Sequence, residues 1–524
     1  MLNLLHASLQ EVVTALKEGN VTSVDLVKGY LEQIQRHNLQ GLSLRAVSQT
    51  APYEKVISAA RRLDAERAAG NVRSLLHGVP ILLKDCIGTQ SNLGLATTGG
   101  LIPLKNATMP SNSVVAERML NAGAIIIGKA NMTVMNFMYG PSIPQAWSPV
   151  FGQTVSPYAS SRQPGQPGYL DPSGSSTGSA VGVAAAFAAA ALGVEACGSI
   201  ICPAREAGVY GYKPTSGLLP QKGIMPVSPR LDTAGPMGKS TWDIAAMLEI
   251  LSNAPEGFYT RHTATPNDNI GKYRLGVARK FFPPWSNMSL PANEDIKEEV
   301  EEVFAKTVAK LAAGIKLDPA DIQGIQAAWS EGQDQEKQDA EDARITEGPN
   351  GRLFLTEYLG AIERFFQDDF VDSPIQTVTD LIEWNSAHPA SHHEAFPDPS
   401  IPAQDTILRK TVEINGRMDK AYHQAAESLA AIKGKIDLFF RDNHLDAMLL
   451  PGGTGSEGSY GVELAAVDGY PILATIPVAI LSNNEPFSVY LLGQRDTDGK
   501  LLEVMAACEK LVGIHPVPMH LRRL

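Results

Sequence analysis

The feature that most restricts how this chain can fold is a run of small residues between two serine-containing turns. Residues 172–179 read Pro-Ser-Gly-Ser-Ser-Thr-Gly-Ser, and residues 195–199 read Glu-Ala-Cys-Gly-Ser. Residues 179–193 are almost all alanine, glycine or valine, which predicts a short helix of small side chains. A helix of about 14 residues carries the chain about 20 Å, and an extended return at about 3.3 Å per residue brings it back. Ser175 and Ser199 can therefore meet beside one pocket, which suggests a hydrolytic site, although such a stretch is also typical of a surface loop.

A lysine adds a third candidate residue. Residues 77–86, His-Gly-Val-Pro-Ile-Leu-Leu-Lys-Asp-Cys, form an apolar, strand-like run whose end delivers Lys84. A buried lysine is costly unless its amine is paired or neutral, and a neutral lysine accepts a proton. Considered alone, Lys84 also fits a strand-end lysine that reaches water.

Together, these residues resemble the amidase signature family, whose hydrolases use a serine–serine–lysine triad. The resemblance is carried by Lys84, Gly174-Ser175-Ser176 and Gly198-Ser199-Ile200. It extends from about Ser8 to about Gly493 and is weakest at about 255–410. Further segments that look like the family are 122–132, 151–154, 211–215, 232–237 and 469–471.

Two positions indicate a branch of that family. Glu195 stands where the glutaminyl-tRNA amidotransferase subunit usually has Asp, and Ile201 stands where that subunit usually has Arg. The chain is in this respect more similar to bacterial peptide amidases and many fungal amidases. The resemblance therefore disfavours a tRNA-linked role.

The resemblance implies that Ser199 is the nucleophile. Its hydroxyl would attack an amide carbonyl to form an acyl-enzyme, which water hydrolyses to a carboxylate after ammonia or an amine has left. A serine hydroxyl is a poor nucleophile near neutral pH, so it needs a base within hydrogen-bonding reach. Ser175 would accept the proton from Ser199 while it donates its own to neutral Lys84. The expected catalytic residues are thus Lys84, Ser175 and Ser199.

The resemblance also implies how the surrounding backbone supports these residues. The peptide bond between Gly174 and Ser175 is expected to be cis, and Ser176 is expected to supply a supporting hydroxyl. Backbone N–H groups would form the oxyanion hole and bind the substrate carbonyl. These N–H groups belong to Ala196, Cys197, Gly198 and Ser199.

The loop before Ser199 departs from the pattern of the family. Relatives commonly have Thr-Asp-Gly-Ser or Thr-Gly-Gly-Ser where this chain has Ala196-Cys197-Gly198-Ser199. A side chain at position 197 reshapes the space near the oxyanion, which is compatible with unusual substrate choice or reduced activity. Cys197 itself fits either a small buried filler or a reactive thiol. Two alternatives therefore stay open: an acyltransferase or esterase with the same triad, and a catalytically impaired relative that binds a ligand.

A competing motif overlaps the first serine. Residues 174–178 also fit Gly-x-Ser-x-Gly, the nucleophile elbow of α/β-hydrolases, which would make Ser176 the nucleophile. That elbow must follow a buried strand, whereas residues 164–173 are rich in proline and glycine. The mechanism also needs a late histidine, for which His515 is a candidate near the C-terminus. The context therefore favours Ser199 over Ser176.

Helix-like and strand-like segments alternate along the chain. This alternation predicts an α/β fold with helices on both faces of a sheet, and the resemblance implies an amidase-signature three-layer sandwich with a central mixed β-sheet. Helices are predicted at 8–18, 23–36 and 111–122, with strands at 79–84 and 124–128.

Motifs of one family spread along the chain and predict a single domain, although the length alone suggests about three or four. Helical segments at 291–313 and 404–440 are expected to flank a divergent stretch, 314–403. Within residues 1–524 we expect N-terminal helices at about 1–70, a catalytic core at about 71–255, a divergent, substrate-facing region at about 256–410, and a C-terminal core segment at about 411–524.

Composition disfavours several kinds of partner and location. The net charge of −12 works against nucleic-acid binding, which needs clustered Lys and Arg. No apolar run reaches the roughly 18 residues of a membrane span, and the first residues lack the pattern of a signal peptide. Four cysteines without a small-scaffold spacing fit a reducing compartment. We therefore expect a cytoplasmic protein without a membrane partner.

The sequence also gives no support for a cofactor. It contains no complete nucleotide-binding fingerprint. His392-His393-Glu394 has no spaced partner of the kind that metal sites use. The expected partner is a small-molecule amide substrate, with neither a metal nor an organic cofactor, and a homodimer is a possible assembly.

Overall fold

The computed structural model of the protein describes residues 2–140, 143–162, 166–264, 270–278, 294–320, 325, 351–388, 405–452, 462, 466, 467 and 473–522. Within these residues, eleven strands form one sheet and two short strands form a separate ribbon. In chain order the strands are β1 (Val47–Thr50), β2 (Pro80–Lys84), β3 (Ile125–Ala130), β4 (Trp147–Ser148), β5 (Gly152–Gln153), β6 (Ala190–Glu195), β7 (Tyr210–Lys213), β8 (Thr233–Gly238), β9 (Arg274–Val277), β10 (Lys316–Pro319), β11 (Ala447–Pro451), β12 (Leu473–Ile480) and β13 (Pro486–Leu492).

The α-helices of the described residues surround this sheet. They are α1 (Leu9–Lys17), α2 (Ser23–His37), α3 (Tyr53–Ala68), α4 (Val114–Asn121), α5 (Thr177–Ala184), α6 (Ile201–Glu206), α7 (Thr241–Ser252), α8 (Glu294–Ala312), α9 (Gly351–Asp368), α10 (Val378–Ala387), α11 (Thr406–Ile414), α12 (Lys420–Asn443), α13 (Asp498–Val512) and α14 (Met519–Arg522).

The large sheet is mixed and has the order β1-β3-β2-β6-β8-β7-β12-β13-β11-β9-β10. Strand β2 runs parallel to both β3 and β6, whereas β8 is antiparallel to both β6 and β7. Because β2 and β6 are parallel neighbours, their carboxyl ends, Lys84 and Glu195, lie at the same edge of the sheet.

Helices cover both faces of this sheet. A Cβ atom at Gly235 would lie 2.7 Å from the side chain of Ile200, which precedes α6, whereas a Cβ atom at Gly238 would lie 2.6 Å from Asp243 in α7. Residues an odd number of positions apart in a strand point to opposite faces. Helices α6 and α7 therefore lie on opposite sides of β8. The predicted α/β fold, with a central mixed sheet between layers of helices, is confirmed.

Most predicted elements form where the sequence pattern placed them. Helices α1, α2 and α4 and strands β2 and β3 coincide with the predicted segments to within a few residues. Ser8 and Thr22 begin the first two helices with reciprocal capping boxes, in which each side chain accepts a hydrogen bond from the third helical N–H group. The segment predicted at 404–440 contains two helices, because the chain leaves helical geometry at Asn415 and Gly416, whose φ angles are 50° and 64°.

The prediction of one helix over residues 179–193 is wrong in its second half. Helix α5 ends at Ala184, Ala186 adopts a φ of 54°, and residues 190–195 form strand β6 in the middle of the sheet. Alanine and glycine fit either structure, and a strand buried on both faces lacks the alternation that would reveal it. Pairing with β2 on one side and β8 on the other decides in favour of the strand.

Some sequence predictions fall outside the described residues. These are the family-like segment 469–471, the His392-His393-Glu394 group and much of the divergent stretch 314–403. Among the helices that the structure describes, none is both long and apolar enough to cross a membrane.

Candidate active site

Lys84 ends β2 in the interior of the protein. Its side chain is 0% exposed, and its Nζ atom donates hydrogen bonds to Ser175 Oγ at 2.8 Å and to the Val194 carbonyl at 3.1 Å. Burial lowers the pKa of Lys84 to about 8, against opposing electrostatic interactions with Cys86, Glu195 and Asp232. Lys84 therefore does not reach water, and its amine loses its proton far more readily than that of a surface lysine.

Ser175 lies directly against this amine. The peptide bond between Gly174 and Ser175 is cis, as the resemblance implies. A Cβ atom at Gly174 would lie 2.4 Å from Thr133 Oγ1, so a larger residue here would displace the Thr133 side chain. The Ser175 carbonyl accepts a hydrogen bond from the Thr133 N–H group at 3.1 Å, and the Ser175 hydroxyl donates to Asn136 Oδ1 at 3.4 Å. The hydroxyl can thus either accept from Lys84 or donate to a neighbour.

Ser176 is engaged with strand β6. Its hydroxyl donates to the Val194 carbonyl at 3.1 Å and accepts from the Val194 N–H group at 3.2 Å. Its own N–H group donates to the Ser199 carbonyl at 3.0 Å. No strand lies between residues 166 and 176 in the part of the chain that the structure describes, so the nucleophile-elbow interpretation finds no strand to precede it. Ser176 joins the two serine-containing turns.

Ser199 stands two residues before α6 and is 8% exposed, whereas Lys84 and Ser175 are 0% exposed. The Ser199 hydroxyl makes no hydrogen bond to any residue that the structure describes. The three predicted residues therefore follow an order of depth, with Lys84 and Ser175 hydrogen bonded inside and Ser199 nearest the surface.

Glu195 holds the loop that leads to Ser199. Its Oε2 atom accepts hydrogen bonds from the N–H groups of Ile200 at 2.6 Å and Ile201 at 3.0 Å. A carboxylate at the start of α6 also interacts favourably with the N–H groups of the first helical turn. The resulting bend encloses residues 196–199 between the end of β6 and α6.

Residues 196–199 present backbone donors at this bend. Within the described part of the chain, the N–H groups of Ala196, Gly198 and Ser199 donate no hydrogen bond. Gly198 has a φ of 77°, and a Cβ atom there would lie 3.0 Å from Cys202 Sγ. Cys197 is partly exposed, and its Sγ atom lies 3.9 Å from the Val462 carbonyl oxygen.

A family model described as Amidase matches residues 25–457 of this chain. The chain belongs to the amidase family. A protein of Arabidopsis thaliana named as a probable amidase is 27% identical over 530 residues, which cover 98% of this chain and 91% of that protein. The solved structure of native peptide amidase from Stenotrophomonas maltophilia has a TM-score of 0.79 and 28% identity, with 98% of each chain covered.

The tRNA-linked branch matches a smaller part of this chain. A glutamyl-tRNA(Gln) amidotransferase subunit of Symbiobacterium thermophilum is 36% identical over 265 residues, which cover 49% of this chain and 50% of that protein. The predicted resemblance to the amidase family is thus confirmed along nearly the whole chain by the Arabidopsis and Stenotrophomonas relatives.

The structure also brings together residues to which the sequence analysis assigned no role at this site. Asn136 accepts a hydrogen bond from Ser175. Thr133 donates its N–H to the Ser175 carbonyl, and its hydroxyl accepts from the Ala146 N–H group. Met135, Asn136 and Phe137 all have positive φ angles, of 49°, 54° and 76°. Sequence periodicity carries no signal for three successive left-handed residues, and only the fold shows that they approach Ser175.

Proposed function

We propose that this protein hydrolyses carboxamides through an acyl-enzyme on Ser199. The Ser199 oxygen attacks the carbonyl carbon and its proton passes to Ser175, whose own proton passes to neutral Lys84. When the C–N bond breaks, the proton returns along the same residues to the leaving nitrogen, and ammonia or an amine departs. Water then attacks the acyl-enzyme, releases the carboxylate and restores the Ser199 hydroxyl.

The observation that carries this proposal is the fully buried hydrogen bond of 2.8 Å between Lys84 and Ser175. A lysine with a pKa of about 8 is neutral in about a tenth of molecules at pH 7, a few hundred-fold more than an ordinary lysine. A neutral amine beside a hydroxyl is a base that can draw a proton through Ser175 from the more exposed Ser199.

The loop 196–199 supplies the stabilisation that the tetrahedral intermediate needs. The N–H groups of Ala196, Cys197, Gly198 and Ser199 are proposed to donate to the oxyanion, where each donor contributes about 3 kcal/mol in comparable enzymes. The position of this loop beside Ser199, and the hydrogen bonds by which Glu195 holds the next two N–H groups, support this role. The partly exposed Cys197 side chain is proposed to shape the substrate space beside the oxyanion.

The substrates are proposed to be small linear amides whose C–N bond is not an internal peptide bond. The similarity to a peptide amidase along 98% of both chains supports this class. We further propose that residues 1–524 form one catalytic domain, that the divergent region at about 256–410 faces the substrate, and that the protein acts in the cytoplasm. A homodimer stays a prediction, which sedimentation analysis of the purified protein tests.

The proposal is tested by labelling the protein with a fluorophosphonate and locating the label by peptide mass spectrometry. The label is expected on Ser199, absent in Ser199→Ala, strongly slowed in Lys84→Met and retained in Ser176→Ala. Label on Ser176 or Cys197 instead would overturn the assignment.

A substrate screen completes this test. Primary amides, including C-terminal amides of short peptides, are expected to release ammonia with the unsubstituted protein and not with Ser199→Ala. Added hydroxylamine distinguishes hydrolysis from acyl transfer, because a transferase forms the hydroxamate in preference to the acid. Absence of both label and turnover would favour a ligand-binding relative.

A further inference from the structure

A second buried lysine lies on the same face of the sheet as Lys84. Lys213 ends β7 and is 0% exposed. Strand β7 pairs with β8 through Gly211 and Met237, and the continued antiparallel register places Lys213 opposite Gly235.

Gly235 and Gly193 both face Ile200, and strand alternation puts Glu195 on the face of Gly193. Pairing of Leu83 with Leu192 likewise places Lys84 opposite Gly193.

Four of the buried polar atoms that lack a hydrogen-bond partner among the described residues belong to Lys213 and to residues linked to it electrostatically. They are Glu195 Oε1, Lys213 Nζ, Asp232 Oδ1 and the Tyr358 hydroxyl. Buried polar groups in proteins are almost always hydrogen bonded, to protein or to internal water. Lys213 interacts electrostatically with both Glu195 and Asp232, and Asp232 also acts on the Tyr358 hydroxyl. Such a polar group of atoms is the setting in which buried water is found.

Each carboxylate keeps one oxygen available to this neighbourhood. Asp232 uses Oδ2 to accept from the N–H groups of Val227 at 2.7 Å and Ser228 at 3.0 Å, which leaves Oδ1. Glu195 uses Oε2 for the loop before α6, which leaves Oε1. Asp232 Oδ1 and Glu195 Oε1 are therefore the oxygens that can accept a hydrogen bond from an ammonium group or a water molecule.

Both lysines interact with the same two carboxylates. Burial lowers the pKa of Lys213, and electrostatic interactions with Glu195, Cys197, Asp232 and Asp498 oppose this effect. Burial also lowers the pKa of Lys84, and electrostatic interactions with Cys86, Glu195 and Asp232 oppose that lowering.

The charge of Asp232 depends on the same neighbourhood. Burial raises the pKa of Asp232 to about 7, against the N–H groups of Val227 and Ser228 and the charges of Lys84 and Lys213. The neighbouring Cys86 thiol also interacts with the buried carboxylate of Asp85 and the amine of Lys129, which act on each other. The Lys213 amine, unlike that of Lys84, makes no hydrogen bond to a residue that the structure describes.

We propose that Lys213 is a positioning residue of the active site, whose ammonium group holds Glu195 and Asp232 through internal water and so leaves Lys84 free to give up its proton. Without the Lys213 charge, both carboxylates act on Lys84 alone and stabilise its protonated form. Because Lys84 is the base only if the proposed function holds, this role rests on that function.

The test measures the rate of fluorophosphonate labelling of Ser199 across neutral and alkaline pH, which needs no knowledge of the substrate. Lys213→Met keeps the length of the side chain and removes its charge, and is expected to move the midpoint of the pH profile upward by about one unit or more. Lys213→Arg restores the charge and is expected to bring the midpoint back. Asp232→Asn keeps an oxygen for Val227 and Ser228 but loses a negative charge, and is expected to move the midpoint downward.

The opposite directions of these shifts make the outcomes decisive. A Lys213→Met protein that is slower by the same factor at every pH, with an unmoved midpoint, would show that Lys213 only supports the fold. If Lys213→Met does not fold, Asp232→Asn decides, and an unmoved midpoint overturns the inference. Absence of Ser199 labelling in the unsubstituted protein would overturn the proposed function and this inference together, whereas labelling with unmoved midpoints overturns the inference alone.

Discussion

Lys84 and Lys239 are two buried lysines with nearly the same acidity and very different partners. Burial lowers the pKa of each to about 8. The amine of Lys84 contacts a serine hydroxyl and one carbonyl. The amine of Lys239 donates to three backbone carbonyls of the N-terminal segment, those of Leu4, Leu5 and Ala7, at 3.2, 2.9 and 3.1 Å.

The comparison shows that a lowered pKa does not by itself mark a catalytic base. A carbonyl only accepts, and only the ammonium form has the three protons that three carbonyls use. Beside Lys239, Asp243 accepts hydrogen bonds from Leu9 N–H and Gln10 N–H at 3.1 Å each, so this pair fastens the first helix to α7. A hydroxyl can instead donate to a neutral amine, so the environment of Lys84 tolerates both protonation states.

The largest effect that separates the two lysines is expected in activity. Lys84→Met removes the base and is expected to slow Ser199 labelling about 1000-fold, within the range typical of general-base catalysis. Lys239→Met, the matched control, is expected to label at close to the rate of the unsubstituted protein. An equal loss in both variants would break the comparison, since burial and not the partner would then explain the effect.

Stability is expected to show the reverse order. Lys239→Met leaves three carbonyls without their donor and is expected to lower the free energy of unfolding by about 1–3 kcal/mol. Lys84→Met removes a desolvated amine and is expected to leave that free energy unchanged or higher. Denaturant unfolding of both variants measures the difference, and a Lys84→Met protein that is the less stable of the two would contradict it.

The pH dependence of labelling sharpens the comparison further. Lys84 must be neutral to act, and its pKa of about 8 is below the ordinary value. The rate is therefore expected to rise about tenfold per pH unit below pH 8 and to level off above it. Lys239→Met is expected to keep this profile. A midpoint that moved in Lys239→Met would show that the two lysines are not independent.

The smallest effect is expected at Ser176, whose hydroxyl bonds to the same Val194 carbonyl as Lys84 but makes no hydrogen bond to the Lys84 amine. Ser176→Ala removes two hydrogen bonds to Val194 and is expected to cost about 1–3 kcal/mol of stability, while Ser199 still takes the label. Differential scanning calorimetry and peptide mapping measure the two quantities. Loss of all label in a folded Ser176→Ala protein would revive the nucleophile-elbow interpretation.

Local pattern was sufficient to predict a large part of this fold. Helices α1, α2 and α4 and strands β2 and β3 follow from hydrophobic spacing and capping residues, which act over a few positions. The pattern failed at residues 190–195, where a strand of small residues was predicted as helix. Buried small residues satisfy both periodicities, and only the strands that pair on either side settle the structure.

The candidate site divides in the same way. Lys84, Ser175, Ser199 and the loop 196–199 were predicted from residue type and motif, and their roles stay a prediction. Asn136, Thr133 and Lys213 were not assigned a role at the site, because nothing in their local sequence relates them to Ser175 or Lys84. They lie near it through the order of strands and the turns between them.

The sequence by itself determined the family, the α/β class and the candidate triad, because these depend on residue identity and on short-range spacing. The tertiary structure decided how deeply each group is buried and which partner each buried amine has. It also decided which carboxylates interact electrostatically with the same lysines. These properties arise when the parallel neighbours β2 and β6 place Lys84 and Glu195 at one edge, with Asp232 and Lys213 at the ends of the next two strands. Desolvation and electrostatic coupling act across that space and leave no trace in the order of residues along the chain.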